Sequence, residues 1–577
     1  MRMDTTRKPV GQATRGLCAS APASIVGHRE TGRIPTRTAG TTRLPYRFRT
    51  FICAVCAFAV LCGCARDAAP GRGNTLVAAI SSDPGHLNPA ITTNGSVHTA
   101  ADLLYDGLIS LGDDLKPRPA LATRWVVEDS GARYRFFLRH GVKWHDGQPF
   151  TAADVKFSFD SVLLRFHSRT RASLLPVLLR IDTPDDTTVV FQFKRPYAPL
   201  LAQLDVVEAP IVPKHLYAGT DPLKNPRNMA PVGTGPFRFG SYAHGTEIRY
   251  ARNATYFGPG PTLDGVVMRV IPDASTQVAA LEAGEVDWLF GVPGPDRARL
   301  QKRANIRLTQ SSVSPGGSNC VSTVGFNLDR PVFRDLRVRK AVTYALDRPQ
   351  FVERVTFGDG RLADAPITSA IAFAHADHLD MPAFDTLRAD SLLTDAGWHR
   401  ASATGVRAAR GIRGVKDGTP LILTFKVMTS MAPYGELLRA QLKRVGLDLT
   451  VVALEPVVFA QSVFTARDFD MSIAPYCQGT DPQIGVQRMY TRSSIAPVPF
   501  SNMAGYRNPV MDSLFDRASS ALNVDERGRF YRQIQELAVH DQPYVWLVET
   551  TNTHAFNTRC HGFGVAAHFA ATAACTP

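Results

Sequence analysis

Two short segments of this chain contain residue types that could do chemistry. In WHDG at 144–147, His145 stands beside Asp146, and such a pair could serve acid–base catalysis or hold a metal ion. One pair of this kind directly before a helix is more typical of a turn. The second segment, GTGP at 233–236, lacks the Lys-Ser/Thr of a P-loop, and its proline removes a backbone donor that a phosphate would need. We therefore predict a turn in the first segment and a tight backbone crossing in the second.

Signatures of hydrolases are absent from the sequence. It has no Gly-x-Ser-x-Gly elbow, no His-Glu-x-x-His and no paired Cys/His motif. We expect a protein that is not an enzyme and that uses no cofactor or metal ion. An exported hydrolase remains a distant alternative.

The composition is that of a folded protein with several domains. The chain has 577 residues, of which 44% are hydrophobic and 20% are charged, and this excludes disorder of the whole chain. Its formal net charge is +14, but ten of the 65 lysines and arginines precede Cys64, with only two of the 51 acidic residues. Most of the excess charge therefore lies in the leader, and we expect no nucleic-acid partner.

The N-terminal part of the chain has the features of an export signal. Residues 1–42 show no apolar periodicity, and we expect them to be disordered or to result from a start codon placed too early. Arg43, Arg47 and Arg49 then precede the apolar run at 51–61, as in a secretory signal peptide. The run is too short to span a bilayer, for which ~20 apolar residues are needed.

The apolar run ends in LCGC at 61–64, which resembles a bacterial lipobox. We expect a lipoprotein signal peptide over 43–63, a diacylated Cys64 and a polar tether over 64–74. The alternative is an ordinary signal peptidase site near Ala65.

Four cysteines follow this region: Cys320, Cys477, Cys560 and Cys575. An even number in an oxidising compartment indicates two disulfides, whereas a metal site would require closer spacing and histidine neighbours.

Strand-like and helix-like segments alternate from residue 75 to the end, which predicts a mixed α/β architecture. We expect strands over 75–80, 134–139 and 188–193. No internal repeat or long linker divides this part of the chain.

Capping residues mark the ends of several helices. Thr151 and Asp154 have the spacing of a capping box, and Gly284 and Gly397 are predicted to end their helices in the left-handed conformation. Asp335 is predicted to cap a helix that buries its valines and turns its basic residues towards water: Arg337, Arg339 and Lys340.

From this point the chain resembles one family over most of its length, about residues 75 to 550. The motifs, in family order, are LATRW at 121–125, YRFFLRHGVKWHDGQPFTAADVKFS at 134–158, PVGTGPF at 231–237, RNATY at 252–256, AGEVD at 283–287, FN at 326–327, DLRVRKAVTYALDR at 335–348 and AGW at 396–398. They resemble the family 5 extracellular solute-binding proteins, which include dipeptide-, oligopeptide- and nickel-binding proteins of bacterial ATP-binding-cassette (ABC) importers.

The resemblance implies a two-lobed α/β fold like that of the type II periplasmic binding proteins, with a small domain inserted in the first lobe. Mapped onto this chain, the parts are the first lobe at 75–106, 211–318 and 545–577, the inserted domain at 107–210, and the second lobe at 319–544.

The resemblance also implies a function. We expect a monomeric, periplasmic receptor, anchored to a membrane by its lipid, that captures a small ligand between its lobes and delivers it to permease subunits. A peptide or peptide-like solute is the expected ligand, and an opine, a sugar or a chelated metal is the alternative.

In peptide-binding members, an aspartate four residues before a proline accepts the ligand's amino terminus. Here Gln478 stands four residues before Pro482, and Gln483 follows that proline with no nearby histidine to help hold nickel. Glutamine cannot neutralise a buried ammonium, so Asp481 is the expected substitute. The implied ligand contacts are Thr92, Thr93 and Asn94 from one lobe and Ala474, Tyr476, Cys477, Gln478 and Asp481 from the other.

The resemblance further implies one disulfide, because Cys320 and Cys477 have spacings close to those of a bridged pair in oligopeptide-binding relatives. Cys560 and Cys575 enclose a loop whose closure could contribute ~3 kcal/mol, and we expect them to form the second disulfide.

Overall fold

The structure, a computed structural model, describes residues 73–112, 115–311, 319–400, 402, 405–563 and 570–576. The expected leader, signal peptide and lipidated Cys64 lie outside the described residues. Among the helices that are described, none is long and apolar enough to cross a membrane.

The first large sheet has seven strands and belongs to the expected first lobe. In spatial order these are Ile306–Ser311, Asn552–Asn557, Trp288–Leu289, Thr75–Ile80, Gly265–Val270, Glu247–Arg252 and Phe237–Ala243. Thr75–Ile80 runs parallel to both of its neighbours, and the other pairs are antiparallel. Leu76 packs into one hydrophobic core and Val77 into another. Both faces of this strand are therefore covered, as expected for a parallel strand at the centre of an α/β sheet.

The second large sheet has six strands, most of which belong to the expected second lobe. Its order is Arg361–Leu362, Tyr544–Glu549, Cys320–Phe326, Met471–Cys477, Ile422–Met428 and Asp448–Leu454. The strand Tyr544–Glu549 belongs to this sheet, whereas the expected domain boundary at 544/545 assigned it to the first lobe. Only two residues separate it from Asn552–Asn557 of the seven-stranded sheet, so the chain crosses between the lobes at 550–551.

The inserted region forms an antiparallel sheet of four strands in the order Ala122–Glu128, Arg133–Leu138, Thr188–Phe193 and Leu178–Asp185. Three two-stranded ribbons complete the strands: Ile109–Leu111 with Pro117–Pro119, Trp398–Arg400 with Arg407–Ala409, and Cys560–His561 with Ala574–Cys575.

Helices cover the faces of these sheets. The described α-helices are Gly95–Ala101, Ala152–Phe157, Leu164–Phe166, Ser168–Leu174, Lys214–Tyr217, Ala274–Glu282, Gly294–Leu300, Pro331–Arg334, Leu336–Tyr344, Thr386–Asp395, Ala432–Lys443, Pro456–Ala460, Pro482–Gly485, Gln487–Tyr490, Pro509–Ser520 and Val524–Asp541. Three π-helical turns interrupt or extend them at Ser158–Leu163, Phe351–Val355 and Gln461–Thr465.

The local predictions for helix ends are confirmed. Thr151 and Asp154 form the capping box at the start of Ala152–Phe157. Gly284 and Gly397 have φ of 71° and 89°, the left-handed conformation that ends a helix. Asp335 caps its helix by accepting a hydrogen bond from the Arg337 backbone N–H at 2.8 Å.

One prediction for this helix is wrong. Arg339 is buried rather than turned to water, and its guanidinium donates to the carbonyl oxygens of Phe333 and Gln542 at 2.6 and 3.1 Å. A basic side chain on a helix face can therefore be buried when its guanidinium donates hydrogen bonds to carbonyl oxygens at the ends of neighbouring segments.

Candidate functional site

A cavity of about 730 Å³ lies where the two lobes and the inserted region meet, and it has the size of a small-molecule site. Its lining comprises Ile91, Thr92, Thr93, Asn94, Gly95, His98 and Thr99 from the first lobe, Phe166, Ser168 and Arg169 from the inserted region, and Pro475, Cys477, Arg488, Pro499 and Phe500 from the second lobe. The site is thus assembled from three parts of the chain that are distant in sequence.

The first-lobe wall is held by its own side chains. The Thr92 Oγ1 accepts from the Asn94 backbone N–H at 3.1 Å, and the Asn94 carboxamide caps Gly95–Ala101 by accepting from the Ser96 N–H at 2.8 Å. The hydroxyls of Thr93 and Ser168 lie 3.2 Å apart and link this wall to the inserted region. The three predicted first-lobe residues therefore do line the cavity.

His98 has acceptors on both sides of its ring. Its Nδ1 lies 3.0 Å from Asp102 Oδ1 and its Nε2 lies 3.0 Å from the Thr92 carbonyl oxygen, so the protonated ring satisfies both. Burial opposes the charge, but the Asp102 carboxylate outweighs it and raises the pKa of His98 above its ordinary value. Its positive charge is balanced within the first lobe.

Arg169 is also balanced by a carboxylate. It forms a buried ion pair with Glu208 at 2.9 Å. Close to this pair, burial and the charge of Glu208 raise the pKa of Asp205 to about 7. Of the acidic groups behind the cavity wall, Glu208 is thus paired with an arginine, and Asp205 stays protonated to a higher pH than an ordinary aspartate.

Arg488 is different, because no carboxylate lies within 4.0 Å of its guanidinium among the described residues. Its Nε donates to the Gly485 carbonyl oxygen and its Nη2 to the Cys477 carbonyl oxygen, both at 3.1 Å. Loss of solvent and the nearby charge of Arg169 lower the pKa of Arg488 to about 10. The cavity lining contains these two arginines and no acidic side chain.

Comparison with known proteins decides the family. The family model described as bacterial extracellular solute-binding proteins, family 5 Middle, matches residues 116–496. The chain is a family 5 extracellular solute-binding protein. Its relatives include the oligopeptide-binding protein AppA of Bacillus subtilis (strain 168), 28% identical over 506 residues, which cover 86% of this chain and 89% of AppA. Heme-binding protein A of Haemophilus influenzae is 26% identical over 528 residues, covering 86% and 91% of the two chains.

Solved structures share the fold of this family 5 protein. The Bacillus subtilis AppA in complex with a nonapeptide has a TM-score of 0.71 at 26% identity, with 85% of this chain and 96% of AppA covered. DppA from Helicobacter pylori, in complex with the peptide STSA, has a TM-score of 0.75 at 23% identity, with 88% and 98% covered. The two-lobed α/β fold expected from the sequence is confirmed.

Both disulfides expected in this family 5 protein are present. Cys320 bonds to Cys477 across the directly opposed positions of two neighbouring strands, and Cys560 bonds to Cys575 across a two-stranded ribbon. The Cys477 end of the first bond lines the cavity.

The strand Met471–Cys477 presents alternate residues to the cavity. Pro475 and Cys477 line it, whereas Ala474 and Tyr476 are fully buried in the core of the second lobe. The Tyr476 hydroxyl donates to the Ser501 carbonyl oxygen at 2.8 Å. Because successive side chains of a strand point to opposite faces, Ala474 and Tyr476 turn their side chains away from the cavity.

The structure places Gln478 in a structural role. It is fully buried, its Oε1 accepts from the Thr368 N–H at 2.9 Å, and its Nε2 donates to the Pro366 carbonyl oxygen at 2.7 Å. Its side chain fastens the 366–368 loop and is absent from the cavity lining.

Asp481 also lies away from the cavity lining, contrary to the expectation of an amine anchor. Its carboxylate is paired with Arg527 at 2.7 Å and accepts from the Tyr531 hydroxyl at 3.2 Å and the Gln483 N–H at 3.0 Å. The Asp481 side chain is 3% exposed and the Arg527 side chain 7%. Binding a ligand ammonium here would require breaking this buried pair.

The first two sequence segments have the predicted structural roles. The His145 Nδ1 accepts from the Gly233 N–H at 3.2 Å, so its Nε2 carries the proton that is donated to the Gly235 carbonyl oxygen at 3.0 Å. Burial lowers the pKa of His145 to about 4, which agrees with a neutral ring. A Cβ atom at Gly233 would lie 1.7 Å from the Leu104 carbonyl oxygen, so the glycine allows the backbone crossing.

One cluster of side chains among the described residues has the composition of a metal site. Ligand atoms of Asp364, His375 and Glu549 lie within 4.8 Å of one another. Arg361 pairs with Asp364 at 2.8 Å and with Glu549 at 3.6 Å. Arg361 thus compensates the charge of the two carboxylates in this cluster.

Proposed function

We propose that this chain is the substrate-binding receptor of an ABC-type importer, which captures a peptide or peptide-like solute and delivers it to the membrane permease. The observation that carries the proposal is the cavity walled by both lobes. A second cavity of about 440 Å³ shares Gly95 and Thr99 with it and extends along the first lobe. An elongated site of this kind suits an extended ligand.

Capture requires hinge motion and no covalent chemistry. A ligand that touches both walls binds the closed state more tightly than the open one, so it shifts the population towards closure. The backbones at 92–94 and 475–477 would flank an extended peptide and offer main-chain hydrogen bonds. The crossing at 550–551 is one of the segments about which the lobes would bend.

A wall substitution tests whether the cavity is the site. Thr99 lines both cavities, so Thr99→Trp should fill the passage between them and weaken binding of a mixed tripeptide to pentapeptide library more than tenfold. Titration calorimetry gives the affinity, and Thr262→Trp, at an exposed position of the same lobe, is the control. Equal affinities for both variants would place the ligand elsewhere.

A non-peptide solute is the second candidate, and the charge of the cavity supports it. The lining carries Arg169 and Arg488 but no carboxylate that could receive an α-ammonium. A carboxylated solute such as an opine would suit these walls as well as a peptide does. If such a solute binds and no peptide does, the receptor function stands and the ligand is not a peptide.

We also propose that the exported chain is held at a membrane by a diacylated Cys64. Replacing Cys64 with serine removes the acceptor of the lipid, and the protein should then move from the membrane to the soluble fraction, because diacyl chains supply the anchoring. Cell fractionation with immunodetection measures this, and Cys62→Ser should stay at the membrane. A Cys64→Ser protein that remains membrane-bound would contradict the lipobox interpretation.

A further inference from the structure

Arg488 is a cation in the cavity lining that has no salt-bridge partner within 4.0 Å among the described residues. Its Nε and Nη2 are held by the carbonyl oxygens of Cys477 and Gly485, which fix the plane of the guanidinium. Its Nη1 has no hydrogen-bond partner among the described residues, and the side chain lines the cavity. The protein therefore fixes the orientation of the guanidinium, and the N–H donors of its Nη1 remain available to a ligand.

Three carboxylates near the cavity are paired with cations of the protein itself. Glu208 pairs with Arg169, Asp102 with His98, and Asp481 with Arg527. None of these acids lines the cavity, whereas the side chains that do are neutral or positive. A ligand ammonium would meet hydroxyls, an amide and backbone carbonyls, but no opposite charge.

We infer that Arg488 receives a carboxylate of the ligand, so that a bound peptide is anchored by its C-terminal carboxylate rather than by its amino terminus. This inference rests on the proposed receptor function and names the ligand group that the receptor recognises. A guanidinium in a partly desolvated site forms short, strong hydrogen bonds to a carboxylate, and leaving either group unpaired there is costly. The ligand's anion would complete the pairing that the protein itself does not supply.

The test uses one tripeptide to pentapeptide library in three forms: free acid, C-terminal amide and N-acetylated acid. Retention of each form by the exported protein is measured by equilibrium dialysis and mass spectrometry. Amidation should lower the affinity more than tenfold, and acetylation should change it less than threefold. This comparison is made on the unaltered protein, so it does not depend on how a variant folds.

Variants then assign the effect to one side chain. Arg488→Gln should remove the preference for the acid over the amide, and Arg488→Lys should keep part of it because the charge is retained. Arg492→Gln is the control, because Arg492 is exposed and pairs with Asp512 at 2.6 Å. Thermal unfolding shows that each variant is folded before its affinity is compared.

The outcomes separate the inference from the function on which it rests. Equal retention of acid and amide, or loss of binding on acetylation, would overturn the carboxylate anchor and leave the peptide receptor standing. A preference for the acid that survives in folded Arg488→Gln would overturn the assignment to this residue. Retention of none of the three forms would contradict the peptide ligand, and the inference with it.

Discussion

Replacing Asp481 with asparagine is expected to lower the free energy of unfolding by about 3–5 kcal/mol, because removing one partner of a buried ion pair leaves the other charge uncompensated. The pair to Arg527 is 2.7 Å long, and the Asp481 charge raises the pKa of Arg527 even though burial opposes this. The Tyr531 hydroxyl would lose a charged acceptor as well. Denaturant unfolding measures the change.

Asp516→Asn is the matched control for this prediction. Asp516 also pairs with an arginine, Arg195, at 2.6 Å, but its side chain is 69% exposed, so the expected change is below about 1 kcal/mol. The same Asp481→Asn protein should keep its ligand affinity within a few-fold, because Asp481 does not line the cavity. Unchanged stability with a tenfold loss of peptide affinity would restore Asp481 as the amine anchor.

Removal of the Cys320–Cys477 disulfide should have the second large effect. The bond closes a loop with a sequence separation of 157, and the chain-entropy model gives it a contribution of about 5 kcal/mol to stability. Because Cys477 also lines the cavity, the double serine variant should bind ligand more weakly. Denaturant unfolding and titration calorimetry on the same preparation measure both effects.

The Cys560–Cys575 disulfide is the comparison within the same chain. Its sequence separation is 15, for which the model gives about 3 kcal/mol, and neither cysteine lines the cavity. The double serine variant at these positions should therefore be less destabilised and should bind ligand normally. A smaller loss of stability on removing the long-loop bond than the short-loop bond would contradict the entropic account.

Local sequence patterns predicted local structure well in this chain. The strands Thr75–Ile80 and Thr188–Phe193 have the bounds expected from their apolar residues. The capping residue Thr151 was recognisable from the sequence, because the side chains that accept hydrogen bonds from the free N–H groups of a helix lie within one turn of its start. The Gly233 crossing was recognisable for a similar reason, since glycine and proline restrict the backbone directly.

The interior charges were not predictable in this way. Asp481 and Arg527 are 46 residues apart, and nothing local shows that they meet in the core. Arg339 has a helix position that is typical of a solvated residue, but distant carbonyls surround it. Partners of buried charges are set by tertiary packing, which periodicity does not encode.

Arg488 was missed because an arginine in the four-residue helix Gln487–Tyr490 resembles an ordinary surface residue. A signal was nevertheless present: Asp481 is the only acidic residue between Asp470 and Asp512, so Arg488 has little local charge to pair with. Once Asp481 is committed to Arg527, that stretch provides no acid for Arg488.

The most direct test of the receptor account is native mass spectrometry of the exported protein, purified without denaturation. The account predicts a mass above that of the chain by one small solute, which is released on unfolding and identified by fragmentation as a peptide or a peptide-like carboxylate. The unfolded and refolded protein should regain such a mass when incubated with the free-acid peptide library. The mass of the bare chain alone, both after purification and after incubation with that library, would contradict the account.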